Sequence, residues 1–242
     1  MKLDLLAFGV HPDDVELSCA GVLLVEKLSG KKVGIIDLTE GELGTRGTAE
    51  TRIEEAAAAA KILGVDVREN AGMADGFFAN DETHQRKVIT ALRTYQPEII
   101  FCNAPSDRHP DHGRSAKLVE DAAFLSGLKK IETTAGGIHQ EAWRPKYVFN
   151  YIQDKLLIPD FVIDISAVFD QKIQAIKAYG SQFHNKDSNE TQTYISTPDF
   201  LDSVVYRHKW FGKMIGVKYA EGFISHKMIG LNNFDALIKN NT

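Results

Sequence analysis

Short apolar runs alternate with amphipathic stretches from the first residues onward. Leu3 to Gly9 is an apolar run ending in a polar loop, the pattern of a strand buried on both faces. Glu16 to Leu28 sets Leu17, Ala20, Leu24 and Leu28 at helical spacing, and Ser29-Gly30 predicts the end of that helix. Lys32 to Thr39 predicts a second strand and Glu40 to Gly47 a glycine-rich loop. Thr48 can then cap a helix that carries the run Ala56 to Ala60 and stops at Gly64. The alternation continues with a strand at Asp66 to Glu69, a helix at Glu82 to Tyr95, a strand at Glu98 to Cys102 and a helix at Asp111 to Leu125. Later come strands at Tyr147 to Ile152 and Phe161 to Ile165, a helix at Ser166 to Tyr179, a polar segment from His184 to Ser196, a helix at Asp199 to Met214 and a strand at Tyr219 to His226.

Strands that alternate with helices predict right-handed crossovers and an α/β fold: a Rossmann-like, mostly parallel sheet with helices on both faces. No repeat, low-complexity tract or linker divides the chain, so residues 1–242 are read as a single domain. That length, with 43% hydrophobic and 25% charged residues, supports a sizeable core and excludes a disordered chain or a coiled coil. The formal net charge of −5 leaves no basic surplus for a phosphate backbone, which argues against nucleic acid as a partner. No stretch reaches the roughly 18 apolar residues of a membrane span, and Leu5 to Val10 is too short for a signal sequence; the expected location is the cytoplasm. Cys19 and Cys102 both lie in apolar runs and are expected to be reduced core residues.

Ligands of open parallel sheets bind beyond the carboxyl ends of the strands. Two loops predicted there are rich in metal-ligand chemistry: His11-Pro12-Asp13-Asp14, with Glu16 close behind, and Ser106-Asp107-Arg108-His109-Pro110-Asp111-His112. Catalytic zinc takes three protein ligands from His and Asp/Glu and keeps one position open. His11, Asp14 and His112 can form such a set. Asp13 is then a spare carboxylate able to take a proton, and His109 an imidazole able to stabilise an oxyanion or donate a proton. Either loop alone is also compatible with a simple turn in which Asp13 or Asp111 caps a helix; the coincidence of two favours a shared metal site.

Gly9-Val10-His11-Pro12-Asp13-Asp14-Val15-Glu16 and His109-Pro110-Asp111-His112 resemble the two signature motifs of the PIG-L/LmbE-like deacetylases, zinc-dependent enzymes that deacetylate N-acetylglucosamine conjugates. The resemblance runs through Thr39-Glu40-Gly41-Glu42, Arg52 and Glu55-Ala56 to Ala220-Glu221-Gly222-Phe223. With Val15 standing before Glu16, it is nearest to the bacillithiol-biosynthesis branch, which acts on N-acetylglucosaminyl-malate. It implies zinc ligands at His11, Asp14 and His112, a general base at Asp13, and a protonated His109 that helps hold the oxyanion. Arg52 corresponds to a substrate-contacting arginine. Arg108 would flank His109, and Tyr194 corresponds to a mobile tyrosine near the site. An ordinary surface arginine, a loop ion pair and a loop aromatic are the respective alternatives. The resemblance also implies a small-molecule N-acetylglucosaminide as substrate and a homo-oligomer such as a hexamer.

The donor set suits Fe2+ or another divalent ion as well as Zn2+. Arg46, Arg52 and Arg108 are candidates to meet an anionic aglycone, and the remaining histidines, at 84, 139, 184, 208 and 226, are read as surface or core residues. Rival readings are a deacetylase or amidase of another conjugate, a nucleotide-binding module and a non-catalytic metal protein. The second lacks a GxGxxG turn after the first strand, and the third lacks a fourth convincing ligand.

Overall fold

The structure is a computed structural model that describes residues 1–186 and 188–237. In chain order the elements are β1 (Leu5–Gly9), α1 (Asp14–Ser18), α2 (Ala20–Leu28), β2 (Val33–Thr39), α3 (Ala49–Leu63), β3 (Val67–Met73), α4 (Glu82–Tyr95), β4 (Ile99–Cys102) and α5 (Pro110–Ser126). They continue with a short hairpin of β5 (Thr134–Ala135) and β6 (Ile138–His139), then β7 (Tyr147–Tyr151), β8 (Phe161–Asp164), α6 (Phe169–Lys177), α7 (Phe200–Ile215) and β9 (Ala220–Ser225), before a 3-10 turn at Asp235–Leu237. Seven strands form one sheet in the order β3-β2-β1-β4-β7-β9-β8. The first five are parallel, and β9 runs antiparallel between β7 and β8.

Side chains alternate across a strand, so each central strand feeds two cores. Leu5 and Ala7 face one core with Ile35 and Phe101, beside α2, α3 and α6; Leu6 and Phe8 face the other with Ile36, Ile100 and Cys102, beside α4 and α5. Both expected core cysteines are buried and free. The helix boundaries follow local chemistry. Thr48 Oγ1 accepts from the Thr51 amide at 3.2 Å, Asp81 accepts from the His84 amide at 3.0 Å, and Gly64 closes α3 in the left-handed region at φ 64°.

The helix expected across Glu16 to Leu28 is in fact two helices broken at Cys19. The cause lies about 200 residues away in sequence. Glu221, on β9, accepts the amides of Gly21 and Val22 at 2.8 and 2.7 Å, which gives α2 its own N-terminus. A side chain at Gly21 would meet Glu221 Oε1 and Ile165 at 2.8 Å, so the close approach requires glycine. Glu221 also accepts from Lys172 Nζ at 2.6 Å, and neither side chain reaches solvent.

The break matters for the site because α1 carries Asp14. The hairpin β5–β6 had no counterpart among the expected elements, and β3 runs four residues past the expected end at Glu69.

Removing one member of a buried ion pair leaves the other charge uncompensated, at a cost of about 3–5 kcal/mol. Glu221→Ala is therefore expected to lose about that much stability, since it also strands two helix amides. Urea unfolding of the variant against the parent checks it.

Candidate active site

β1 and β4 are neighbours, yet the chain visits β2 and β3 between them. The crevice therefore opens where the strand order reverses, beyond the carboxyl ends of β1 and β4. Both signature loops leave the sheet at that point, and the end of β7 supplies a third.

Asp14 joins all three. Its Oδ2 accepts the amides of Val10 and His11, each at 3.0 Å, and Asn103 Nδ2 at 2.9 Å. Its Oδ1 accepts Gln153 Nε2 at 2.6 Å and lies 3.3 Å from His112 Nε2; His11 Nδ1 is 3.8 Å from Oδ2. Burial works against its charge, but His112, His11 and these donors outweigh it and hold the carboxyl well below the usual carboxylate range.

The two histidines are each held from behind. His11 Nε2 meets Asp75 Oδ1 at 2.9 Å, and His112 Nδ1 meets Asp107 Oδ2 at 2.6 Å. Each carboxylate thus orients one ring nitrogen and leaves the other to face Asp14, the carboxylate–histidine arrangement that tunes metal ligands. For His112, burial would depress the pKa, but Asp14 and Asp107 override it and raise the imidazole to about 10.

His11 and His112 have ring centroids 5.9 Å apart, close enough to share an ion. Among the described residues, ligand atoms of His11, His109 and His112 fall within 4.8 Å of one another, as do those of His11, Asp75 and Asp111. In the second group, Asp75 is already engaged with His11, and Asp111 with the Gly76 amide and Arg114.

Asp14 Oδ2 is saturated by three N–H donors, whereas Oδ1 holds one protein hydrogen bond and faces His112. Asp14 belongs to neither group among the described residues and adjoins the histidines through Oδ1; by donor chemistry His11, Asp14 and His112 suit a divalent ion, with His109 beside them. Gln153 Oε1 nearby is buried with no partner of its own.

Asp13 occupies the start of α1 at φ 116°, a strained region for a residue with a side chain, and makes no capping bond. Arg52 braces it: Nη2 donates to Pro12 O at 2.7 Å and lies 3.4 Å from Asp13 Oδ2, while Nη1 donates to Gly41 O at 3.2 Å. Gly41 is obligatory, because a Cβ there would sit 2.0 Å from Arg52 Nη1. Burial raises Asp13 to about 7, with Arg52 pulling the other way.

His109 stands edge-on to His11 with ring centroids 4.7 Å apart. Its Nδ1 accepts the Asp111 amide at 3.3 Å, which places the proton of the neutral ring on Nε2. Burial, with His11 and His112 beside it, pushes its pKa below the ordinary value, which favours a neutral ring over the protonated one that the resemblance implies.

These groups line a cavity of about 360 Å3 that also receives Arg46, Arg108 and Tyr194. Arg108 Nε bonds Asp154 Oδ2 at 2.8 Å, its guanidinium lies 4.3 Å over the Tyr194 ring, and Tyr194 OH donates to Asp154 Oδ1 at 3.0 Å. The residues His11, Asp13, Asp14, Arg46, Arg52, Arg108, His109, His112 and Tyr194, expected at a site from sequence, thus all reach one cavity. Arg52 is buried rather than on the surface.

Sequence reasoning had assigned no role to Asp75, Asp107, Asn103, Gln153 or Asp154. Asp107 lies inside the Ser106–His112 loop, where its five-residue spacing from His112 is the available signal. Asp75, Asn103, Gln153 and Asp154 had none.

Residues 6–123, which contain all three donors, match the model of the PIG-L family, GlcNAc-PI de-N-acetylase. The crystal structure of the conserved protein TT1542 from Thermus thermophilus is 36% identical, with a TM-score of 0.83 over 95% of this chain and 98% of that one. The chain belongs to the same family as that Thermus thermophilus protein, and its residues 6–123 are similar to the PIG-L family model.

Diacetylchitobiose deacetylase of Thermococcus kodakarensis is 26% identical over 90% of this chain and 80% of its own length. The 4-oxalmesaconate hydratase of Pseudomonas putida is 26% identical over 74% of each. The N,N'-diacetylchitobiose deacetylase of Pyrococcus horikoshii shares the fold at a TM-score of 0.78 and 23% identity, over 97% of this chain and 88% of that one.

Loss of a carboxylate behind a ligating histidine weakens metal affinity about 10–100-fold. Asp107→Asn is expected to fall in that range, measured by competing Zn2+ away with a chelating dye. An unchanged affinity would remove Asp107 from this role.

Proposed function

We propose that the chain is a metal-dependent N-deacetylase of an N-acetylglucosamine conjugate, with Zn2+ as the ion and N-acetylglucosaminyl-malate of bacillithiol biosynthesis as the substrate. One observation carries the reading: a buried carboxylate, Asp13, stands beside the His11/Asp14/His112 donors without belonging to them. A divalent ion held there supplies Lewis-acid polarisation of an amide carbonyl and makes water more acidic.

Asp13 accepts the proton of the attacking water and later delivers it to the departing amine. The C–N bond breaks, and acetate and a free amine result. The strained backbone and the Arg52 brace aim this carboxylate into the cavity instead of at the helix amides. The neutral His109 ring donates its Nε2–H toward the oxygen on which charge develops, a contact of a kind worth about 3 kcal/mol.

Support for an anionic aglycone comes from Arg46, Arg52 and Arg108 in the cavity wall. Arg52 is committed to Asp13, and Arg46 to the segment above it through Ser181 O at 2.8 Å and Ser188 Oγ at 3.1 Å. Arg108, at the exposed rim, is the guanidinium best placed to exchange Asp154 for a substrate carboxylate. A hydratase reading is favoured by the similarity to the Pseudomonas putida enzyme, because adding water across a double bond also calls for a proton-accepting carboxylate beside a cation.

Asp13→Ala is expected to keep its metal content and lose about 10²–10⁴-fold in acetate release; full turnover would overturn the assignment. Chelation should abolish acetate release, and Zn2+ should restore it. Release from N-acetylglucosaminyl-malate should exceed that from N-acetylglucosamine at least about tenfold in kcat/KM, or about 1.4 kcal/mol. Equal constants would exclude malate, and water addition to an unsaturated dicarboxylate without acetate release would establish the hydratase reading.

A further inference from the structure

Arg207, on α7, is half-buried, makes one hydrogen bond, from Nη2 to Leu17 O at 2.9 Å, and has no carboxylate within 4 Å among the described residues. Other buried or half-buried arginines meet a carboxylate or several acceptors. Arg52 meets Asp13, Arg68 meets Glu16 and Asp37, Arg46 meets Glu190, and Arg93 donates to Ser126 O, Leu128 O, Ile131 O and Thr133 Oγ1. Its remaining donors are free for solvent or a ligand, and a guanidinium held against apolar walls without a close counterion favours an anion there. Burial accordingly pulls Arg207 down to about 10.

Arg207 lines two spaces. Inward, a neck of about 20 Å3, enough for one water, is walled by Leu17, Ile195, Phe200 and Val204 and reaches His112 and Gln153 of the catalytic cavity. Outward, a groove of about 380 Å3 is walled by Leu156, Tyr206 and Trp210, with Ser203 beside them. Tyr194 borders both the groove and the catalytic cavity. The groove's own carboxylate, Asp154, is occupied by Arg108 and the Tyr194 hydroxyl, so it does not serve as the missing counterion.

We propose that Arg207 and the groove beneath Tyr206 and Trp210 form a carboxylate-binding subsite adjoining the catalytic cavity. Arginine offers a planar fork of donors that pairs with a carboxylate through two parallel bonds, and the aromatic wall covers the attached carbon skeleton. On the deacetylase reading the carboxylate has two sources. It is either the acetate product, passing Tyr194 from the catalytic cavity, or a carboxylate of the substrate's aglycone, lying in the groove.

The test is an equilibrium titration of the intact protein with 13C-labelled acetate and, separately, with 13C-labelled malate, followed by NMR. It compares the parent with Arg207→Gln and with Ser203→Phe. The second variant fills the groove and leaves the Arg207–Leu17 bond in place, so it decides the matter if Arg207→Gln fails to fold. At least tenfold weaker binding of acetate in the variants would identify the subsite as the product's; the same loss for malate would identify it as the aglycone's. Affinities that stay at parental values for both carboxylates would overturn the proposal. Because no turnover is needed, the result stands apart from the acetate-release assays that test the deacetylase reading.

Discussion

One carboxylate holds the site together. Asp14 is reached by backbone amides from the β1 loop, by Asn103 beyond β4, by Gln153 beyond β7 and by the imidazole of His112 on α5. These segments are distant in sequence, and without a shared acceptor their loops would have no reason to converge. Burying that charge is costly, and the ring of donors around it offsets the cost. The same ring fixes where a cation can sit, since it saturates Oδ2 and turns Oδ1 toward His112.

Around Asp14 the protein concentrates charge that most interiors avoid. Arg68 bridges Glu16 and Asp37, and Tyr179 also donates to Glu16, beneath the turn that carries Asp13. Burial raises the pKa of Asp37, with Arg68 opposing it. This network, together with the Glu221–Lys172 pair at the start of α2, clamps the short helix α1 from two sides. A strained Asp13 can persist only where its surroundings are so determined. Stability is given up for geometry at the catalytic turn, and the packed cores on either face of the sheet supply it.

The proteins to which this chain is similar include ones named as deacetylases and one named as a hydratase, on one scaffold. That breadth is intelligible if the shared task is to prepare water between a cation and a carboxylate, with the acceptor chosen by the rim. In this chain the rim is built from pieces remote in sequence: the glycine-rich loop after β2, the loop after β7, and the segment between α6 and α7 that Arg46 ties down through Ser181 and Ser188. Substrate choice is therefore expected to be more labile than chemistry.

Periodicity and punctuation alone determined much of this protein. The helix from Glu82 to Tyr95 and the caps at Thr48 and Gly64 are local, because a 3.6-residue repeat and a capping hydroxyl act within a few residues. The meeting of His11, Asp14 and His112 was legible for a related reason: the order of strands and helices already predicted that both motif loops leave the sheet at its carboxyl edge. What sequence could not display is anything that depends on a distant partner. The break at Cys19 exists because Glu221 arrives from β9. Asp75 and Gln153 enter the site through crossover geometry, and Arg52 is buried because Gly41 and Pro12 offer carbonyls to it. Local rules see one element at a time, whereas the hydrogen bonds that set these features span up to 200 residues, and only the folded sheet brings their ends together.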